Sequence, residues 1–177
     1  MYFKRYIVFG LLLSGLTLLN LNCSPPAKEA PIATEPDFYL GGIQLNESSN
    51  KRWVKKLSEV GMNTVEVTVY GRQGNWHDHN FWFAENEEGV INEIRIAKAA
   101  GLHVTLILRT LLDHDYDDNV FLWHGMIFPE STENLRLWFD LYGRFARKWA
   151  RIAQEEGVEA YSLGSEMNAM VGTSYTA

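Results

Sequence analysis

Three stretches of the chain repeat one order of apolar and polar positions. "SEVGMNTVEVTV" from Ser58, "AKAAGLHVTLIL" from Ala97 and "AQEEGVEAYSLG" from Ala153 each run from a helix end through a glycine, an apolar and a polar residue into a β-rich run. Gly61, Gly101 and Gly157 suit the left-handed position just past a helix, where a side chain would clash. Three such units in register predict a repeating αβ architecture with parallel strands. Strands are expected at Tyr39–Gln44, Thr64–Tyr70, His103–Leu108 and Ala160–Leu163. Helices are expected at roughly 49–60 and 88–100, with a long third one before Gly157. In the long helix Leu135, Trp138, Phe139, Tyr142, Phe145, Trp149 and Ile152 recur at three- and four-residue steps, the mark of a buried stripe, and Ser131 or Thr132 suits its cap. The order β-α-β-α-β-α-β with right-handed crossovers fits an open doubly wound sheet or one half of an eight-stranded barrel.

The connections are lopsided. Those from helix to strand are minimal, whereas those from strand to helix are long, from Gly71 to about Glu87 and from Arg109 to about Glu130. In parallel α/β proteins the loops at the carboxyl ends of the strands build the site. These loops hold "GRQGNWHDHNFWF" and "RTLLDHDYDDNVFLWHG", rich in the Trp, His, Asp and Asn that grip polyols by stacking and hydrogen bonding. After the first strand "YLGGIQLNESS" lacks the dinucleotide glycine spacing, which argues against a nucleotide cofactor.

Composition adds three constraints. The apolar content of 46% and charged content of 21% are those of a globular protein. The 6 Trp, 8 Tyr and 9 Phe supply core and, on loops, stacking platforms. A net charge of −6 with no basic stripe excludes a nucleic-acid partner. The first 22 residues, with Lys4 and Arg5 ahead of "YIVFGLLLSGLTLL", have the length and polarity of a signal peptide. The single cysteine, Cys23, follows directly and forms no internal disulfide. A cysteine in this place looks like the acylation site of a bacterial lipoprotein, although that box wants Leu three residues earlier and a small residue just before, where this chain has Asn20 and Asn22. Ordinary cleavage and an uncleaved anchor are the alternatives. Acylation implies an extracytoplasmic protein, held on a bacterial membrane by its lipid. Residues 23–37 read as a Pro- and Ala-rich tether, and the folded domain is expected over residues 38–177.

Few chemical motifs survive inspection. "DHDYDD" from Asp113 begins like a calcium loop, but its sixth position is Asp118 rather than Gly and its twelfth is His124 rather than Glu. His77 and His79 have no clear third metal partner and read as solvated, so no metal is expected. No Gly-x-Ser-x-Gly elbow occurs. Glu166 follows the last strand, in a loop with Gly164 and Ser165. A carboxyl partly desolvated there could hand a proton to a leaving oxygen. It could equally be a surface glutamate in a turn, and position alone does not choose.

"WHGMIFPE" followed by "WFDLYGRFARKWARIAQEEGVEAYSLGSEMN" resembles the β-1,4-mannanases of glycoside hydrolase family 113, which belong to the clan of retaining barrel glycosidases. Trp123, Gly125, Ile127 and Pro129 match one motif. Trp138, Phe139, Tyr142 and Ala150 match the helix, and Gly164, Ser165 and Glu166 match a Gly-Thr-Glu strand end. The third strand departs from the family's Lys-Pro-His-x-Asp, with Arg109, Thr110, Leu111, Leu112 and Asp113 in those places, which bears on polysaccharide specificity more than on fold. The resemblance implies an α/β fold that is a partial (β/α)8 TIM barrel and a glycosidase acting on a β-linked polysaccharide such as mannan. Glu166 would be the general acid/base. Trp76, Trp82 and Trp123 would stack on sugar rings, while Arg109, Asp113 and Asn168 would bond hydroxyls, with no cofactor. Retaining chemistry needs a second carboxyl about 5–5.5 Å away, which the clan carries on its seventh strand. With four predicted strands the chain reads as the front half of a barrel, expected to be truncated and inactive alone. The rival expectation is a non-catalytic carbohydrate-binding surface lipoprotein.

Overall fold

The computed structural model describes residues 36–44, 52–83, 86–113 and 122–170. Two ten-residue strands form its centre. β2 (Thr64–Gln73) and β4 (His103–Leu112) run parallel and pair along their whole length. β1 (Gly41–Gln44) lies parallel to β2 on one side, and β5 (Ala160–Ser162) parallel to β4 on the other. The parallel order β1-β2-β4-β5 follows the sequence without reversing. A doubly wound sheet reverses at a switch point, and a barrel does not. Of the two architectures compatible with the sequence pattern, the molecule therefore takes the partial barrel.

Three helices link the strands: α1 (Arg52–Glu59), α2 (Glu87–Ala99) and α3 (Thr132–Glu155). Ser131 caps α3, its hydroxyl accepting the Asn134 N–H at 3.1 Å. Gly61, Gly101 and Gly157 have φ of 78°, 77° and 66°, the left-handed geometry expected after each helix. Alternation along β2 and β4 sends Val65, Val67, Val69, Val104, Leu106 and Leu108 to one buried face. Val90, Ile94 and Ala97 of α2 and Trp138, Phe145 and Trp149 of α3 belong to the same core. The opposite face carries Glu66, Thr68, Tyr70 and Arg72 from β2 and Thr105, Ile107, Arg109 and Leu111 from β4. It is the more polar of the two and corresponds to the barrel interior.

Both central strands run past their expected ends at Tyr70 and Leu108. The extension is held by the Asp113 N–H, which donates to the carbonyls of Gln73 at 2.8 Å and Gly74 at 3.2 Å. It is also held by β3 (Phe81–Trp82), an antiparallel pair of residues on β2 within the stretch expected to be loop. Gly71 makes this pairing possible. A Cβ there would lie 2.0 Å from the Phe81 ring, which instead packs against Trp138, Tyr142 and Phe145 with centroids 5.3–5.8 Å apart.

Candidate functional site

The carboxyl ends of the strands carry three loops that are tied to one another. The loop after β2 is fixed from below by Gln73, which is fully buried. Its amide donates to the carbonyls of Asn75 at 2.6 Å and Asp78 at 2.8 Å, and its oxygen accepts the Trp138 indole N–H at 2.6 Å. The same loop accepts two bonds from the segment before α3, from the Phe128 N–H to the Trp76 carbonyl at 2.8 Å and from the Glu130 N–H to the His77 carbonyl at 3.3 Å. The third loop joins through the Ala169 N–H, which donates to the Gly125 carbonyl at 2.9 Å. These bonds give the Gln73 amide and the Trp138 indole buried partners and tie the loops to one another, which fixes their mutual geometry.

Glu166 stands in the third loop with φ of 57°, one of two non-glycine residues with positive φ among the described residues. Such a backbone costs on the order of 1–3 kcal/mol and persists where the surroundings hold it. Its Oε2 accepts the Arg109 Nη2 hydrogen bond at 3.0 Å. His124 Nε2, in a short 3-10 turn (His124–Met126), lies 2.7 Å from the same oxygen, off the axis of an aligned ring N–H bond. Below this group the Tyr142 hydroxyl donates to the Leu163 carbonyl at 2.7 Å, anchoring the end of β5 to α3. Burial pushes the Tyr142 phenol well above its ordinary range, with a smaller push from Tyr161.

Of the other expected site residues, Arg109 contacts this carboxyl directly. Arg109 lies within β4 rather than in a loop, because the strand is longer than its pattern indicates. Asp113 directly follows the same strand, and both its oxygens accept from Arg72 of β2, one of them from Nε at 3.3 Å. A cavity of about 400 Å³ beside that pair is lined by Thr68, Tyr70, Arg72 and Leu111, among others. Trp82 sits directly across from Arg72 in the β2–β3 register. Trp76 and Trp123 are each 37% exposed, enough to offer a ring face. Trp123 folds over Gly125, where a Cβ would come within 2.5 Å of its ring. Asn168 is exposed in the loop of Glu166. Cys23 and the acidic run 114–118 lie outside the described residues. His77 Nε2 is 3.9 Å from Asp78 Oδ1, and among the described residues no three His, Cys, Asp or Glu side chains could hold a metal ion. His124 and Gln73 had escaped the sequence reading. His124 does lie in the quoted "WHG", but its contact with Glu166 arises only on folding.

A sequentially wound parallel sheet with a carboxylate, cations and aromatics gathered at its carboxyl ends is the arrangement of a (β/α)8 barrel enzyme. The family model of Glycoside Hydrolase Family 113 matches residues 42–175, and the chain belongs to that family. Among solved structures it is similar to the GH113 β-mannanase from Alicyclobacillus acidocaldarius, with a TM-score of 0.59 and 22% identity over 67% of this chain and 39% of that one. A second structure, a GH113 β-1,4-mannanase in complex, matches with a TM-score of 0.57 and 19% identity over 74% of this chain and 45% of that one. This chain therefore spans less than half the length of either, and at these identities the likeness speaks to the fold. No curated protein matches the chain significantly.

Proposed function

We propose that this chain supplies the acid/base half of a retaining glycosidase acting on a β-linked mannan-type polysaccharide. The observation that carries this reading is Glu166, held after β5 against Arg109 and His124, with the exposed rings of Trp76 and Trp123 on the loops at the same end of the sheet. In the reaction Glu166 protonates the leaving glycosidic oxygen and then, as the carboxylate, takes a proton from the attacking water. Trp76, Trp82 and Trp123 stack on sugar rings, and Asn168 bonds a hydroxyl. Asp113 is engaged with Arg72, so its contacts to sugar run alongside that ion pair, whereas Arg109 is engaged with Glu166 itself. The second carboxyl of the retaining pair comes from outside the described residues, and the chain alone binds oligosaccharide without turnover.

Titration calorimetry with β-1,4-mannohexaose tests this. The chain should bind, and Trp76→Ala or Trp123→Ala should each weaken binding about tenfold, worth about 1.4 kcal/mol. Absence of binding contradicts the reading. Robust mannan turnover by residues 38–177 alone contradicts the division of carboxyls. The acylation of Cys23 and an extracytoplasmic, membrane-held location complete the proposal, on the strength of the apolar leader that precedes the cysteine.

A further inference from the structure

We propose that Arg109 and His124 are positioning residues for Glu166: together they hold its Oε2, which leaves Oε1 as the oxygen that exchanges the proton. The inference rests on the reading of Glu166 as the acid/base and assigns its two oxygens different work. Arg109 reaches Oε2 at 3.0 Å from within β4, and Glu166 is its one side-chain partner among the described residues. Among the described residues its buried Nε has no hydrogen-bond partner. The His124 side chain is 15% exposed, and among the described residues its Nε2 makes no aligned hydrogen bond, its near neighbour being Oε2. We assign the ring proton to Nε2, the nitrogen that faces Oε2 at 2.7 Å. The ring is kept in place edge-on to Trp123, with centroids 5.2 Å apart. Among the described residues Oε1 has no hydrogen-bond partner.

This division matches what the reaction asks of the group. The proton leaves Oε1 for the glycosidic oxygen as the C–O bond breaks, and the bonding pair goes to that oxygen. The second carboxylate of the retaining pair takes the anomeric carbon. The charge left on Glu166 is met at Oε2 by the Arg109 donor already in place, with the His124 ring nitrogen 2.7 Å away on the same oxygen. In the second half water attacks the anomeric carbon and gives its proton to Oε1, and the second carboxylate departs. Sequence reading gave Arg109 to the sugar hydroxyls, whereas the geometry gives it to the carboxyl that works on them.

Two measurements on the full chain decide the matter. In side-chain ¹⁵N NMR, the Arg109 guanidinium nitrogens should give separately resolved signals, and the His124 Nε2–H should be visible. Both features should be lost in Glu166→Ala. Signals unchanged by that substitution overturn the proposal. In calorimetry, Arg109→Lys and Arg109→Met should bind mannohexaose within about twofold of the native chain, whereas a loss of about tenfold or more makes Arg109 a sugar ligand and overturns it. Native chain that binds no mannohexaose removes the functional reading instead, and the NMR comparison still decides whether the clamp exists.

Discussion

Glu159, at the foot of the sheet, shows how one carboxylate can be kept charged against its surroundings. Burial works against the charge, but the Lys98 ammonium, the Val104 N–H at 2.8 Å and the coulombic pull of Lys98 outweigh it, and the group is held below the usual carboxylate range. A lowered folded value means stability that is present above the ordinary carboxyl range and lost as pH falls through the folded value. Melting curves should therefore show Glu159→Gln less stable than the native chain at neutral pH, with the gap closing in acid. Tyr161 has the opposite sign. Burial pushes its phenol up to about 12, and its hydroxyl donates to the Ala146 carbonyl at 2.7 Å. Its contribution is present below the ordinary tyrosine value and lost as pH rises through about 12. Tyr161→Phe should thus flatten the alkaline side of the stability profile. At this scale the sequence showed the three left-handed glycines after helices and put Glu166 just after a strand. It did not show the partners, because His124 and Arg109 meet Glu166 only through the fold.

β2 and β4 continue past their apolar runs because pairing, not pattern, sets their ends. The hydrophobic alternation stops near Tyr70, yet Gly71, Arg72 and Gln73 stay in register with Thr110, Leu111 and Leu112. β3 was illegible for a related reason: two residues carry no period. Its presence depends on the missing side chain at Gly71. Gly71→Ala should cost about 1–3 kcal/mol, since Phe81 is boxed in by three aromatic rings and cannot yield. Urea denaturation measures that loss, and a value near zero would mean that the Phe81 pocket is looser than its ring contacts indicate. Tyr142→Phe should cost about 0.5–1.5 kcal/mol by releasing the Leu163 carbonyl at the end of β5. Within α3 the sequence was a good guide, because a long aromatic stripe at three- and four-residue steps has one face to bury and Ser131 ahead of it to cap the start.

The arrangement of the whole sheet was only half legible. Alternating strands and helices left barrel and doubly wound forms open, and the choice depends on which strand lies beside which. The observed order β1-β2-β4-β5 selects the barrel, in agreement with the family to which the chain belongs. Residues 1–35 lie outside the described residues, so the lipid anchor is a matter for fractionation. Cys23→Ala should move the protein from the membrane to the soluble fraction, and retention on the membrane would contradict acylation as its tether.

Glu166 as proton donor must meet a glycosidic oxygen, and a crystal structure of the full chain with bound β-1,4-mannotetraose tests that most directly. It should place an inter-sugar oxygen within about 2.6–3.2 Å of Glu166 Oε1 while Arg109 keeps Oε2, with a sugar ring against Trp76 or Trp123. Sugar bound away from this loop, or a Glu166 carboxyl turned to solvent with Arg109 on the ligand, would contradict it.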